Sequence, residues 1–531
     1  MGALEADTYY SGLCSRPTLL YRSGTSPWVR SSLDWGRDSR RLRPVFGHRM
    51  NVVWKDLGGK ICQTLDSKKV LWSSVDVVRF TEAERRRSVG PVILWIGVLP
   101  NTLSKDDACV CADACLHLLK QFDLKDVEVE FRYSTYTRFV LPTLHKPATD
   151  GGSTDDFHAQ LTPLIGNSIA AEDASHGQGS VGLYLAEGGD SDSILLLTAR
   201  HVLFPPDTGL NVAYDSRHLD PGVDRRKVVL LGDKAHADLL VSIKKKIGRL
   251  ACEAEMYQGR INEWQQSLQQ GDTTVCSQED LERETSLVAG KNEAIEAHVP
   301  LYTEVRKEWR SPRRRAFGHI ICSPPITTGT GTQSFTEDYA IAAVDKARME
   351  KGAFHGNVID LGMNIKPVDF MRRMEGCTKD GLDFTYPSLN RLFPLEGILP
   401  EEIMREPDLL DLHDLPCLSV LKRGSATGVT TGRANGVFSY VREYFDNGTH
   451  RTSMEWAILP HDADRGPFAA PGDSGAAVAD ALGRIGGLIT GGTGSGDGKV
   501  SDVTYATPFF WLLPRVKENG FPNAHLDLVA F

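Results

Sequence analysis

The spacing of apolar residues in the first third of the chain changes repeatedly between a helical period and a strand period. In chain order it predicts a helix at 51–65, strands at 70–80 and 91–98, a helix from a Ser104 N-cap to about 122, and a strand at 127–133. This α-β-β-α-β order predicts a compact α+β domain over 46–142. No catalytic constellation is recognised within that domain.

Two segments without apolar periodicity flank the α+β domain. Residues 1–45 are rich in Arg, Ser, Gly and Pro, which predicts an extended arm or a poorly ordered leader. Residues 144–177 are polar and turn-rich, especially at 150–153, so a domain boundary is expected near 145–175.

Beyond this boundary the pattern becomes one of short apolar runs. Runs such as 181–185 and 194–198 are separated by Gly, Asp and Ser, which predicts antiparallel strands that close into a barrel. A second domain, mainly β, is therefore expected over 170–531.

A helical pattern interrupts the β pattern at 243–310. Apolar residues first follow alternating steps of three and four, and after a possible Ser277 cap they recur every seventh residue. The two seams are Ile247, Leu250, Ala254, Tyr257, Ile261, Trp264 and Leu268, then Leu281, Val288, Ile295, Tyr302 and Trp309. We predict an antiparallel helical hairpin, with Pro300 kinking or interrupting its second helix. The hairpin is either a partner-binding arm or an insertion packed on its own two faces, and the second interpretation is favoured because each seam can cover the other.

The composition is that of an ordinary globular protein. Its 531 residues exceed the size of one growing core, and with 41% hydrophobic and 24% charged residues two or three domains are expected. A net charge of -9 argues against a dedicated nucleic-acid binder, and the basic runs 85–87 and 313–315 are interpreted as solvated loops. No secretory signal or membrane-length apolar run is recognised, so an intracellular location, cytoplasmic or nuclear and without membrane contact, is expected.

The ten cysteines are expected to be reduced thiols in such a compartment. Cys109, Cys111 and Cys115 cluster near His117, but without a CxxC pair they are interpreted as buried small side chains rather than zinc ligands. No structural metal is predicted.

Two of the chain's motifs are suited to nucleophilic chemistry. Ser474 lies between glycines in the turn 471–475, where its oxygen can be exposed while the N–H groups of Gly472 and Ser474 converge on a developing oxyanion. His201 lies just after the apolar run 195–198, two residues beyond Ala199. An imidazole at this place can accept the serine proton.

A third group, a carboxylate that orients the histidine, has several candidates. Asp338 opens a strand of small apolar residues, Asp345 ends the same strand, and Asp238 opens the apolar run 239–241. Asp338 is preferred, and the other two aspartates stay open as alternatives.

Six segments of the chain resemble the chymotrypsin and trypsin-like serine peptidase family. They are the three active-site blocks 198–201, 338–341 and 472–475, in the family's order, and the barrel segments 427–432, 487–491 and 505–508. The intervals between the blocks are longer than the family's, which are about 45 and 93 residues. The hairpin lies inside the first interval, and a loop-rich stretch at 346–415 lies inside the second. As a whole the chain also resembles large trypsin-like proteins of fungi that join an N-terminal α+β region to a peptidase-like barrel.

The resemblance implies a fold and an activity. The fold would be two antiparallel, six-stranded-type β-barrels over 170–531, with the helical hairpin inserted. The activity would be that of a serine endopeptidase working through an acyl-enzyme without a cofactor, with Ser474 as nucleophile, His201 as general base and then acid, and Asp338 as its orienting carboxylate. Substrate-binding residues would be Phe468, Ala469, Thr490, Gly491 and Gly492. Because none of them is acidic, an apolar or small residue is expected before the scissile bond.

The chain departs from the family pattern in two ways. No cysteine follows His201, and Ala470 stands where secreted relatives carry one, which agrees with an intracellular address. Asp473, whose counterpart in many relatives pairs with a newly cut N-terminus, has no evident partner in the sequence.

Two further functions stay open beside the peptidase. One is a catalytically silent barrel that holds partners in its cleft and on its hairpin, and the other is a scaffold whose 46–142 region is the functional part. The expected partners are a protein or peptide substrate, and a protein bound at the hairpin or the N-terminal domain, but not nucleic acid.

Overall fold

The computed structural model places helices and strands along most of the chain. It describes residues 2–13, 15–28, 40–81, 90–138, 154–205, 211–220, 222–270, 276–349, 353–362, 365–374, 377–378, 384–387, 391–411, 415–445, 448–461, 466–494 and 501–529. The predicted turn-rich stretch at 150–153 and the basic run 85–87 lie outside these residues.

The elements follow one another in this order along the chain. The helices are α1 (Ala3–Thr8), α2 (Arg49–Ser67), α3 (Lys105–Gln121), α4 (Thr154–His158), α5 (Arg200–Leu203), α6 (Asp233–Gln269), α7 (Gln278–Glu308), α8 (Pro312–Arg315), α9 (Pro367–Arg373), α10 (Glu401–Arg405) and α11 (Phe509–Glu518). The strands of the first half are β1 (Leu19–Arg22), β2 (Arg41–Arg43), β3 (Trp72–Thr81), β4 (Val92–Val98), β5 (Val127–Tyr133), β6 (Thr135–Arg138), β7 (Ser168–Ala171), β8 (Gly179–Ser180), β9 (Leu183–Gly188), β10 (Ser191–Thr198), β11 (Tyr214–Asp215) and β12 (Lys227–Leu230). Those of the second half are β13 (Ala316–Ser323), β14 (Thr327–Thr330), β15 (Phe335–Glu337), β16 (Ala340–Val344), β17 (Val358–Asp360), β18 (Cys377–Thr378), β19 (Leu392–Pro394), β20 (Leu409–Leu410), β21 (Ser419–Gly424), β22 (Gly428–Ala434), β23 (Ser439–Tyr444), β24 (His450–Pro460), β25 (Ala477–Asp480), β26 (Ile485–Gly494) and β27 (Ser501–Pro508).

The C-terminal part of the chain forms a closed ring of six antiparallel strands. β21 pairs with β22 and β25, β25 with β26, β26 with β27, β27 with β24, and β24 again with β22. Closure pairs the first strand of this ring with the last. Apolar side chains fill its interior, among them Trp456, Val478 and Ile489.

The part of the chain that precedes the ring forms an eight-stranded antiparallel sheet. Its order is β8, β7, β12, β13, β16, β10, β9, with β11 added to β13. The predicted mainly β character of this region is thus confirmed at the level of antiparallel sheets.

The α-β-β-α-β elements are present at their predicted places as α2, β3, β4, α3 and β5. β4 and β5 are parallel, as a crossover through α3 requires. β3 also pairs with β23, so the sheet of this N-terminal unit continues into the strands of the ring.

The leader contributes elements that its sequence pattern does not predict. α1 is followed by β1, which pairs with β5, and β2 pairs with β3. The Tyr9 and Tyr10 hydroxyls donate hydrogen bonds to the buried Glu130 carboxylate, 2.7 and 2.6 Å away. Tyr10 also packs edge-on against Trp95. These aromatic anchors hold the described part of the leader on the sheet.

Side chains also join the N-terminal unit to β23 and to the residue that precedes it. The Trp54 indole N–H donates to the Phe438 carbonyl, and the Arg442 guanidinium pairs with Asp66. Burial raises the pKa of Asp66, but hydrogen bonds from Arg442 and Trp72 outweigh it and hold that pKa below its ordinary value.

The helical hairpin is present as α6 and α7, with differences from the prediction at both ends. Ser277 caps α7 as predicted, since its hydroxyl accepts a hydrogen bond from the Asp280 N–H at 3.1 Å. α6 begins at Asp233, ten residues before 243, so the run 239–241 is helical. Of the kink or interruption predicted at Pro300, the interruption is wrong, because α7 continues through it to Glu308. Leu301 and Val305, in the turns after Pro300, are buried in the main core, and this packing favours a continuous helix despite the hydrogen bond that proline cannot make.

The bases of the two hairpin helices belong to the main core. Leu239 and Ile243 of α6 and Leu301 and Val305 of α7 are buried in the same apolar cluster as the strands of both sheets. The outer halves pack mainly on each other.

Cysteines and titratable side chains give no metal cluster within the described ranges. Eight cysteines in these ranges are free thiols, among them Cys111 and Cys115, which are buried in α3. Burial raises the pKa of the Cys115 thiol to about 12. None of the helices seen in these ranges combines the length and apolarity that crossing a membrane requires.

Candidate functional site

His201 lies where the eight-stranded sheet turns into a short helix. β10 ends at Thr198, Ala199 is extended, and α5 presents His201 in its first turn. The neighbouring Arg200 is anchored by hydrogen bonds from its guanidinium to the Ser323 carbonyl and hydroxyl, 3.0 and 2.8 Å away. This anchor fixes the backbone that carries the imidazole.

The register of strand pairing places Asp338 next to His201. It lies between β15 and β16, and β16 pairs with β10 so that Ala340 is opposite Thr198. β15 is held from the other side, since Phe335 pairs with Met454 of β24 and the Thr507 hydroxyl donates to the Thr336 carbonyl at 3.0 Å. The carboxylate therefore sits at the junction of the two sheets.

The Asp338 carboxylate holds His201 at two points. Its Oδ2 is 2.6 Å from the imidazole Nδ1, and its Oδ1 accepts a hydrogen bond from the His201 backbone N–H at 3.2 Å. With Nδ1–H as donor, the neutral ring has its acceptor lone pair on Nε2. That nitrogen is buried and has no hydrogen-bond partner among the residues that the structure describes.

Ser474 lies on a tight turn between β24 and β25. Gly472 and Gly475 have φ angles of +105° and +82°, a backbone region that favours glycine. The Asp473 N–H donates to the Ala470 carbonyl and the Ala476 N–H to the Asp473 carbonyl, both at 3.0 Å. Because the Asp473 carbonyl is turned towards Ala476, the Ser474 N–H of the same planar peptide points the opposite way. The Gly472 and Ser474 carbonyls accept hydrogen bonds from the Ser180 hydroxyl and N–H, at 3.2 and 2.9 Å.

The serine turn packs directly on the strand that leads to His201. A Cβ atom on Gly475 would stand 2.1 Å from the Thr198 hydroxyl and 3.0 Å from the Ala199 nitrogen, so only glycine fits this close approach. The turn is tied to β26 as well, because the Gly475 N–H donates to the Ile489 carbonyl at 2.8 Å. Ser474, His201 and Asp338 are thus brought to one junction of the two sheets.

The Asp473 carboxylate is saturated by partners on β21 and on the turn that follows it. The ammonium of Lys422 is 3.0 Å from its Oδ2, and the Thr427 hydroxyl donates to the same oxygen at 2.6 Å. Backbone N–H groups of Ala426, Thr427 and Ala470 donate to it at 2.8, 3.2 and 3.0 Å. Burial lowers the pKa of Lys422, and the Asp473 charge opposes that shift.

The predicted substrate-binding residues line the ring beside the serine turn. Phe468 and Ala469 precede the turn and are buried, with the Phe468 ring against Gly432. The Ser501 hydroxyl donates to the Ala469 carbonyl at 2.7 Å. Residues 490–492 lie on β26, opposite Tyr505 and Thr504 of β27.

The centre of the site is closed to solvent. His201 and Ser474 have relative exposures of 0%, and Asp338 of 4%. A substrate could reach the Ser474 oxygen only if part of the chain moved aside.

The two alternative aspartates lie elsewhere. Asp238 is on α6, and Asp345 is exposed at the end of β16, where its carboxylate accepts a hydrogen bond from the Ala347 N–H at 3.1 Å. Neither contacts the imidazole. Of the three candidates, Asp338 is the one bonded to His201.

Sequence reasoning missed Lys422 and Ser180, which hold the serine turn. A signal for Lys422 was available in the sequence. In a strand, Lys422 lies on the same face as the apolar residues Leu418 and Val420, so its side chain is expected to point inward. Ser180 carries no such signal, because it lies 292 residues from Gly472 in the chain.

A comparison with family models finds none that matches, and no curated protein matches the chain.

Proposed function

We propose that this protein is a serine endopeptidase with a chymotrypsin-like fold. In this proposal the eight-stranded sheet and the six-stranded ring are its two barrels, and the active site lies at their junction. The observation that carries the proposal is the two-point contact of Asp338 with His201 beside a glycine-flanked serine turn. An oriented imidazole next to a tight, glycine-flanked serine turn is the arrangement that acyl transfer needs.

The proposed reaction proceeds in two halves. Ser474 Oγ attacks the scissile carbonyl carbon, its proton passes to His201 Nε2, and the Asp338 carboxylate stabilises the imidazolium. His201 then gives the proton to the departing amine, which leaves an acyl ester on Ser474. Water, deprotonated by His201, attacks the ester and releases the acid and the serine. The Gly472 and Ser474 N–H groups are the proposed donors to the oxyanion.

The proposed substrate pocket is bounded by Phe468, Ala469 and the strand segment 490–492. These residues are apolar or small apart from Thr490, and none is charged. The proposed preference is therefore an apolar or small residue before the scissile bond.

The complete burial of His201 and Ser474 favours a second candidate function, a catalytically silent barrel that binds protein partners. The two candidates differ in whether Ser474 can react as a nucleophile, either with a substrate acyl group or with a phosphonylating probe.

Covalent labelling with a small fluorophosphonate separates the two functions. The wild-type protein should be labelled at Ser474, as located by peptide mass spectrometry, because the imidazole activates that oxygen. Ser474→Ala should not be labelled, while Ser67→Ala, a change at an exposed serine at the end of α2, should react as wild type does. Labelling that persists in Ser474→Ala would contradict the assignment, and a protein that stays inert both as wild type and after its closed centre is opened by mutation would favour the silent barrel.

A further inference from the structure

β26 has one edge that the ring itself leaves uncovered. Along one side it pairs with β27 from Gly487 to Gly494. Along the other side β25 pairs only with the stretch from Ile485 to Leu488, because the chain before Ala477 turns away into the serine turn. From Thr490 onwards this second side is open to another strand.

The strand that fills this edge comes from the N-terminal unit. β6 pairs antiparallel with β26, with Arg138 opposite Gly491 and Thr135 opposite Gly494. Its Tyr136 ring lies 6.2 Å from the ring of Tyr505 on β27. β6 is therefore an added strand beside the serine turn.

The direction of β6 is set by the register. β6 and β25 both run antiparallel to β26 on the same side, so they run the same way and lie in line. Gly475 is bonded to Ile489, and Arg138 is opposite Gly491, so a single β26 position, Thr490, separates the two. The carboxyl end of β6 consequently points at the serine turn.

A buried charge holds the base of β6 in place. Arg132, at the end of β5, has its guanidinium stacked on Trp95 and lies 3.3 Å from an Asp76 oxygen and 3.7 Å from an Asp502 oxygen. The same guanidinium is 3.4 Å from the Thr493 hydroxyl on β26. Removing a partner from such a buried pair is costly, so this contact fixes β6 against the edge.

We propose that β6 is the resident, autoinhibitory occupant of the β26 edge at 491–494, the edge on which the proposed peptidase would pair an extended substrate. The inference rests on the proposed peptidase function. β6 holds the site by main-chain pairing, in the direction that brings a chain's carboxyl side to Ser474. It excludes peptide substrates, and the closed centre around His201 and Ser474 opens when β6 leaves the edge.

The test uses Thr137→Pro in the full-length chain, because proline cannot donate to a strand ladder. Thr137→Ser keeps the N–H and is its matched control. Tyr136→Ala, which removes the contact with Tyr505, is a milder second variant in case the proline variant does not fold. Each is also made in the Ser474→Ala background, where peptide binding is measured without any reaction.

Three readouts are taken on these proteins. Hydrogen exchange of the segment 489–494 should become faster in Thr137→Pro than in Thr137→Ser. A fluorescent peptide with the sequence of residues 131–138 should bind Ser474→Ala/Thr137→Pro at least about tenfold more tightly than Ser474→Ala. Fluorophosphonate labelling of Ser474 should be faster by about the same factor in Thr137→Pro and should fall again when the unlabelled peptide is added.

Each outcome bears on one of the two proposals. The inference that β6 occupies a peptide site is overturned if hydrogen exchange at 489–494 is unchanged in both Thr137→Pro and Tyr136→Ala. It is also overturned if exchange becomes faster but neither variant binds the peptide. Peptide binding with no labelling of any protein supports the occupied site and rejects the peptidase function. Labelling of wild type as fast as that of Thr137→Pro overturns the autoinhibition.

Discussion

Asp338 reaches His201 because the two residues flank strands that are paired in register, β16 and β10. The carboxylate then contacts both the imidazole and the backbone N–H of the same residue. An amide at this position could place either its oxygen or its NH2 group against Nδ1, and it would carry no charge to stabilise an imidazolium.

Asp338→Asn should therefore preserve the fold and lower turnover by about four orders of magnitude. The measurement is hydrolysis of an activated ester by the purified variant, with circular dichroism to confirm folding. Asp345→Asn and Asp238→Asn are the matched controls and should keep activity close to wild type. A large loss in either control, together with a nearly normal Asp338→Asn, would mean that another carboxylate orients the imidazole.

Lys422 and Asp473 form a buried ion pair under the serine turn, and both side chains have 0% exposure. Replacing Lys422 with methionine leaves the Asp473 charge buried without its cation. We expect Lys422→Met to lower the free energy of unfolding by about 3–5 kcal/mol. Lys422→Met/Asp473→Asn should lose less, because it removes the uncompensated charge as well.

The measurement for this pair is urea unfolding followed by circular dichroism. Lys55→Met, at an exposed position on α2, should stay within about 0.5 kcal/mol of wild type. A Lys422→Met protein as stable as the Lys55→Met control would show that the pair does not hold the turn. This pair could not be predicted from the sequence. Lys422 and Asp473 are 51 residues apart, and nothing in the segment around either residue indicates the other.

At the scale of elements, helices were the most predictable part of the chain. α3 and α7 are capped by Ser104 and Ser277, whose side-chain oxygens accept hydrogen bonds from the N–H groups of Asp107 and Asp280. An N-cap residue and the helical spacing of apolar residues are local signals, because each can be recognised within a short stretch of sequence. The start of α6 was missed because its first turns belong to the main core, where Leu239 and Ile243 are buried in the same apolar cluster as the strands.

The base of the hairpin consequently cannot be removed with its outer part. Cutting out 245–308 would take away Leu301 and Val305, which are buried in the main core. Glu253 and Lys291 face each other across the hairpin with a 2.5 Å ion pair, which marks a place where the helices can be joined.

Deleting 254–290 and joining the two helices with a short glycine linker should leave a cooperatively folded protein. The removed segment packs mainly on itself, so the unfolding midpoint in urea should change little. Deleting 245–308 is the comparison and should unfold at much lower urea. If the shorter deletion also abolished cooperative unfolding, the outer hairpin would be part of the core.

At the scale of the whole molecule, the sequence indicated the β-rich region and its three chemical motifs but not how the N-terminal unit attaches to them. Patterns show which residues are buried, whereas strand pairing between distant segments depends on the fold as a whole. The pairing of β3 with β23 through Val75 and Tyr440 is of this kind. The short strand β6 likewise offers four residues with no distinctive alternation.

A fragment of residues 154–531 should therefore associate rather than behave as a free domain. It lacks β3 and β6, so the edges of β23 and β26 are unpaired and open to other chains. Size-exclusion chromatography should show it eluting earlier than its mass predicts, and co-expression with residues 1–153 should restore a single complex. A monomeric fragment with a sharp unfolding transition would show that the ring does not need the N-terminal unit.

The attachment of β6 also has a consequence for biosynthesis. Arg132 and Thr493, which meet at the base of this strand, are 361 residues apart in the chain. A ribosome makes the N-terminal unit first, and at about 5–20 residues per second it needs a further interval of tens of seconds to reach the strand that β6 will cover. β6 has thus been synthesised before β26, the strand with which it pairs. If the proposed peptidase function and the proposed role of β6 hold, a newly made chain would close its site as it folds, without an open form that could cleave neighbouring chains on the polysome.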